Sequence, residues 1–379
     1  MSSAARTLAL AAILAPAAAS SAEWAAAPVL WFNADHQTNR TLRPGMPDSQ
    51  SLGASIDLTL SRRSERSEFS LEPYYYLRRL TPQVEADLND LRIPARLTFG
   101  FERAQLSMGA QYADESTLTT ELDTTGAIYP DAARILRAAD VSWRFAHSGS
   151  KEFNAGANYS DVDYTGGYEG QLYDYRYGTF SAGETLSFSP RLSLSFTGFG
   201  SQLRSEQRHS DSSEAGVEVG MQFAWDEATR VSASLGVSRR EFDGERSDGR
   251  TGSFLFAHDG ETRQWRLSLD QSLVPYGTGV LTERDTGELT LVQHFDSRWL
   301  TIGRLGISRN EDVMTFSGID ARTYRFADLE LRWDVRETWN ASIVCGYSDA
   351  QDPFVTDRIG GWTLALRTRW APSRRVLGH

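Results

Sequence analysis

The sequence predicts an all-β chain, a transmembrane antiparallel up-and-down β-barrel of about 18 strands, within a range of about 14 to 18. Three observations predict it. Apolar and polar residues alternate with a period of two. The apolar stripes carry about five members, which suits the roughly 9 to 11 residues of a tilted strand crossing the hydrocarbon, whereas soluble strands typically run about 5 to 6 residues. Short turns alternate with long polar loops, as periplasmic turns and extracellular loops do.

The alternation is clearest from Ser51 to Leu80. Leu52, Ala54, Ile56, Leu58 and Leu60 alternate with Ser51, Gly53, Ser55, Asp57, Thr59 and Ser61. Successive side chains of a strand point to opposite faces, so one face is apolar and the other wet. Beyond the charged turn Arg62 to Arg66, Phe69, Leu71, Pro73, Tyr75 and Leu77 alternate with Ser70, Glu72, Tyr74, Tyr76 and Arg78. That completes a hairpin.

Upstream, Met1 to Ala22 carries one basic residue, Arg6, an apolar run from Leu8 to Leu14 and small residues before Glu23, the form of a signal peptide. The barrel is expected over residues 23–370, with a first strand around Val29 to Asp35 and a short tail over residues 371–379. Downstream of the opening hairpin, Ile93 to Phe101 turns at Arg103 and returns through Leu106, Met108, Ala110 and Tyr112. A long acidic loop, Ala113 to Asp131, follows.

Ile135 to Phe145 turns at Ser148-Gly149-Ser150 and returns as Phe153 to Tyr159. Arg137 breaks that apolar stripe, and a place at the membrane edge lets its long side chain reach the headgroups. Tyr173 to Phe188 pairs across Ser189-Pro190-Arg191 with Leu192 to Leu203, and Glu184 on its apolar side predicts a β-bulge or register change. Ala215, Val217, Val219, Met221, Phe223 and Trp225 form the cleanest stripe, returning as Val231 to Val237. Further hairpins turn near Gly260, Ser297 and Glu337, and the last strand runs from Trp362 to Trp370. Tyr112, Trp143, Tyr159, Trp225 and Trp370 stand at stripe ends, where interfacial girdles form.

The mean hydropathy of -0.42 does not contradict a membrane barrel, because half of every strand faces the lumen. Closure also meets the demand that lipid makes on a sheet, that every backbone N–H and C=O be paired. A net charge of -11 argues against a nucleic-acid partner. The single cysteine, Cys345, excludes an internal disulfide framework. Lys151 is the sole lysine. Codon usage accounts for the arginine excess, with bidentate phosphate contacts to lipopolysaccharide as the alternative.

The segments from Tyr177-Gly178-Thr179-Phe180 to Ser193-Leu194 and from Trp225-Asp226-Glu227 to Leu235-Gly236 resemble the meander of Gram-negative outer-membrane β-barrel porins. The resemblance is closest to barrels found with exopolysaccharide-export and exosortase systems. It implies an outer-membrane location with periplasmic termini and a role in passage or surface assembly of polysaccharide. It carries no catalytic residues over.

A pore for small hydrophilic solutes or saccharides is therefore expected, and not an enzyme. Its lumen would be lined by Asp57, Glu72, Tyr74, Tyr76, Arg78, Arg92, Arg96, Arg144, Glu218, Arg266, Asp270, Asp328, Glu330, Arg332 and Arg367. Their mixed sign argues against strong anion selectivity. Tyr74 and Tyr76, and separately Tyr173, Tyr175 and Tyr177, could stack sugars or simply pack. Other classes have weaker support. No histidine lies in a G-x-S-x-G nucleophile motif, and His209 with Asp211 is the one local pair a hydrolase could use. The alternative is a structural or adhesive surface barrel whose acidic loops bind a partner or Ca²⁺, although Asp161, Asp163 and Glu169 lack the EF-hand pattern. No cofactor or catalytic residue is expected. The partners expected are outer-membrane lipid and lipopolysaccharide, the barrel-insertion machinery and saccharides.

Overall fold

The computed structural model describes residues 23–81, 88–126, 128–129, 132–166, 172–207, 210–312, 322–351, 358–372 and 375–378. The leader Met1 to Ala22, Glu169 and His209 lie outside the described residues. The elements open with β1 (Glu23–Gln37), β2 (Ser49–Arg63), β3 (Ser67–Leu71), β4 (Tyr74–Thr81), β5 (Leu88–Gly100), β6 (Ala104–Ser116) and α1 (Thr117–Thr120). They continue with β7 (Ala133–Ser148), β8 (Lys151–Thr165), β9 (Tyr175–Ser189), β10 (Leu192–Ser205), β11 (Ser210–Ala224), β12 (Thr229–Phe242) and β13 (Glu245–Asp259). The chain finishes with β14 (Arg263–Tyr276), β15 (Val280–His294), β16 (Trp299–Asp312), β17 (Arg322–Arg336), β18 (Trp339–Gln351), β19 (Ile359–Trp370) and β20 (Arg375–Gly378).

These pieces make one closed antiparallel ring of 18 strands. β3 and β4 are a single strand whose ladder lapses at Glu72-Pro73, because proline has no N–H to give. Leu58 N still donates to Pro73 O at 3.0 Å, and Glu72 N to Pro94 O at 3.0 Å, so the register runs through unchanged. β1 closes the ring against β19, from Leu30–Trp370 to Gln37–Thr363. The lower part of that seam is filled by β20, which pairs with Trp24, Ala25 and Ala26. A closed ring pairs the backbone groups that lipid cannot satisfy.

The usual relation of burial to polarity is inverted. Leu52, Phe180, Leu235 and Trp362 are among the most exposed side chains, at 70%, 62%, 77% and 65%. Val219 and Leu331 share that outer face and are likewise exposed. Aromatic residues cluster near the short turns, where Trp299 and Trp333 stack at 5.7 Å and Trp339 meets Trp370 at 6.4 Å.

Three expectations are corrected. The first strand begins at Glu23, six residues before Val29. The alternation of short and long connections fails at 206–209, 243–244 and 277–279, which lie at the long-loop end yet are short. At 243–244 the reason is legible: Asp243 and Gly244 both have positive φ, 47° and 88°, which is the two-residue hairpin turn that Asp-Gly favours. No bulge re-aims Glu184, since it opposes Phe153 and Phe196 in unbroken register and the one shift comes at Leu192/Ser193, beside the turn. Glu184 therefore stays exposed on the outer face. Of the two roles open to Tyr175 and Tyr177, the structure shows packing, in a hydrophobic cluster inside the barrel.

That cluster has an unexpected origin. β13 and β14 pair only from Gly252–Gln271 to Asp259–Gln264, although both strands continue beyond. Past the split, the β14–β15 hairpin parts from β13 and bends into the lumen, while β15 stays paired with β16 as far as Thr282–Asp312. Leu273 and Leu281 then bury against Val162, Tyr175, Leu203 and Phe242, which project inward from β8, β9, β10 and β12. At the hairpin tip, Ser210 Oγ donates to Gly279 O at 2.8 Å and Tyr173 N to Gly277 O at 2.9 Å. Glycine at position 277 lets the tip sit close to the ends of the Leu172, Glu121 and Tyr164 side chains, which a Cβ there would push aside.

Candidate functional site

The connection between β6 and β7 is the second element that enters the lumen. Ser116 caps α1 through Leu118 N at 3.1 Å, and the chain then crosses to the opposite wall. There Arg322 Nη1 donates to Leu122 O and to Thr124 O, both at 2.9 Å, and Asn310 Nδ2 to Asp123 O at 3.3 Å. Arg284 adds an ion pair to Asp123 at 3.5 Å. These three side chains stand on β15, β16 and β17, half a turn of the ring from β6. Tyr276 Oη donates to Thr124 O at 2.8 Å, so the two inward elements also hold each other.

Glu121 sits at that junction. Its carboxylate accepts from Tyr164 Oη at 2.7 Å, Thr124 Oγ1 at 2.9 Å and Thr125 Oγ1 at 3.0 Å. Burial holds its carboxyl above the ordinary glutamate range, against the opposing pull of these donors and of Arg134.

Between this crossing loop and the wall from β1 to β5 lies a cavity of about 900 Å³. Of the residues expected to line the lumen, Asp57, Glu72, Tyr74, Tyr76, Arg78, Arg92 and Arg367 meet there. The sheet register explains why. Tyr74 opposes Asp57 on one side and Arg92 on the other, so three adjacent strands present their inward side chains at one height. Trp31 Nε1 donates to Asp57 Oδ2 at 3.1 Å. Asp35, deep in the wall, takes Arg40 in a short ion pair and Arg78 at 3.4 Å. Arg92 Nε donates to Glu115 Oε1 at 3.1 Å, and Asp90 accepts from Ser116 N and Thr119 Oγ1, both at 2.8 Å.

The remaining expected residues lie on the same inner face but away from this cavity. Arg96 faces Asp140 at 4.0 Å, Arg144 pairs with Glu152 at 3.2 Å, Asp328 with Arg304 at 3.2 Å, and Arg332 with Glu330 at 2.8 Å. Asp270 accepts from Ser272 Oγ at 2.6 Å, and Glu218 lies between Thr197 and Gly236 in the register. Arg266 lines a second cavity of about 470 Å³ near the turn at Pro190. Sequence reasoning missed Trp31, Asp90, Glu115 and the whole crossing loop. Trp31 and Glu115 follow the period-two pattern of their strands and could have been found by extending it; the loop carries no such signal.

Asp161 and Asp163 do not converge on a cation position. Both face Arg137 on the outer side of the wall, at 3.4 and 2.6 Å, and Arg176 also approaches Asp161 at 3.5 Å. Asp211 likewise pairs with Arg204 at 3.5 Å.

A closed ring of antiparallel strands, apolar outside and polar within, defines a transmembrane β-barrel. No family model and no curated protein matches the sequence. Solved structures do. The Pseudomonas aeruginosa protein OccK5 (OpdH) superposes with a TM-score of 0.50 at 13% identity, over 93% of this chain and 99% of that one. OccK2 (OpdF) of the same organism gives 0.50 at 12% identity, over 91% and 98%. The outer membrane protein OpdK of Pseudomonas aeruginosa gives 0.48 at 13% identity, over 92% and 99%. At such identities the likeness is one of fold.

Proposed function

We propose that this barrel is an outer-membrane, porin-like channel for small hydrophilic solutes, with its short-turn end and both described chain ends on the periplasmic side. The observation that carries the reading is the cavity of about 900 Å³ between the crossing loop and the wall from β1 to β5, whose lining includes charged side chains of both signs. A ring of this many strands has room for water, and the two inward elements narrow that room to a cavity whose lining includes hydrogen-bonding groups. Arg40, Arg78, Arg92 and Arg367 are matched there by Asp57, Glu72, Asp90 and Glu115. Such a lining discriminates little between cations and anions. The outer belt contacts membrane lipid and, in the outer leaflet, lipopolysaccharide. A link to polysaccharide export rests on the sequence resemblance alone.

The test is ion conductance in a planar bilayer. Discrete ohmic steps with weak ion selectivity are expected; a folded barrel that passes no current would end this reading.

A further inference from the structure

The cavity's arginines are largely answered from within the wall. Arg40 and Arg78 share Asp35, and Arg92 is bonded to Glu115. A free anion therefore meets no net positive field in the lining.

What the cavity offers is aromatic surface beside a polar floor. In the register, Ser55 of β2 is flanked by Trp31 of β1 and Tyr76 of β4, and Asp57 is flanked by Tyr74. The rings of Tyr74 and Tyr76 lie 6.4 Å apart with their planes inclined by only 18°. Guanidiniums hold the outer two aromatics, Arg369 at 5.4 Å from the Trp31 ring centre and Arg78 at 5.3 Å from that of Tyr76. Tyr76 leans across β2 until its Oη accepts from Asn33 Nδ2 of β1 at 3.5 Å, so the aromatic side chains line one side of the cavity. A pyranose presents C–H faces that pack on aromatic rings and equatorial hydroxyls that donate to carboxylates.

Resting on the channel reading above, we infer that this cavity is a subsite for an uncharged sugar. The sugar ring lies against Trp31, Tyr74 and Tyr76, and its hydroxyls donate to Asp57 and Glu72.

Glucose and glucuronate make a matched pair of probes, alike in ring and different in one carboxylate. In planar bilayers, glucose is expected to reduce the ion current in a concentration-dependent way and at lower concentration than glucuronate. Trp31→Ala, Tyr74→Ala and Tyr76→Ala each raise the half-blocking concentration of glucose roughly three- to tenfold, and Tyr76→Phe, which keeps the ring, restores the block. Faster gel migration of unheated than of boiled protein shows that each variant has folded. A conducting channel that ignores glucose, or that glucuronate blocks first, overturns the inference and leaves the channel standing. Should the folded barrel pass no current, equilibrium dialysis with labelled glucose decides the site: binding that Tyr76→Ala removes supports it, and no binding overturns it.

Discussion

Arg240 Nη1 lies 2.7 Å from Glu283 Oε2, and this contact ties the inward-bent hairpin to the wall it has left. Arg240 is almost fully buried on β12. Its Nε donates to Glu214 Oε1 at 3.3 Å and its Nη2 to Arg250 O at 3.2 Å, a carbonyl of β13 beyond the last β14 partner. One guanidinium thus caps backbone freed by the split and grips the element that caused it.

Arg240→Ala is expected to cost about 3 to 5 kcal/mol, since it leaves the buried Glu214 carboxylate without its counter-charge. The hairpin should loosen before the ring opens. Single-channel records of the variant should show added gating, and thermal melts a lower Tm; a variant indistinguishable from the parent in both would contradict the assigned role.

Arg322→Met removes the two charge-assisted bonds to Leu122 O and Thr124 O, each worth about 1.5 to 3 kcal/mol. The crossing loop then swings out, and conductance rises. Limited proteolysis should cut the loop faster in the variant, whereas equal rates would show that other contacts hold it.

Glu121 makes loop docking depend on pH. Burial raises its pKa when the loop is inserted, so the inserted state binds the proton more tightly than the released state. Acid therefore favours insertion, and the advantage is lost as pH rises from the ordinary glutamate value of about 4.3 through the raised one. Open probability should climb over that window, and Glu121→Gln should flatten the profile. A profile unchanged by the substitution would assign the dependence to another group.

Leu235 stands on the outer face of β12, between Val219 and Gly252. Leu235→Arg is expected to destabilise the barrel by about 2 to 4 kcal/mol in lipid, as charge on a lipid-facing strand does near the midplane. Urea titrations of the folded protein in vesicles measure it; a change near zero would place this residue outside the hydrocarbon.

The strands and their faces were legible because lipid and lumen impose opposite polarities on successive residues, and Leu52 and Tyr76 each carry that mark. The interior was less so. Leu273 and Leu281 have the outer-face parity of Trp265 and Leu269, yet they are buried inside the barrel. Parity reports which side of its own sheet a residue faces, and a hairpin that tilts inward carries its outer side into the lumen. Arg240 and Arg322 have the parity of the wet face, and nothing local in the sequence marks their partners, which lie 43 and about 200 residues away. Seven of the expected lumen residues share one cavity because β2, β4 and β5 pair in a register that the alternation alone could not fix.

The most direct test places a cysteine on each face of one strand. In a Cys345→Ala background, single-channel current is recorded while a bulky thiol reagent is added to Tyr76→Cys or to Leu77→Cys. A lasting drop in current for Tyr76→Cys and none for Leu77→Cys is the predicted result. A drop for Leu77→Cys with an unchanged current for Tyr76→Cys would contradict both the inner face assigned to Tyr76 and the passage through its cavity.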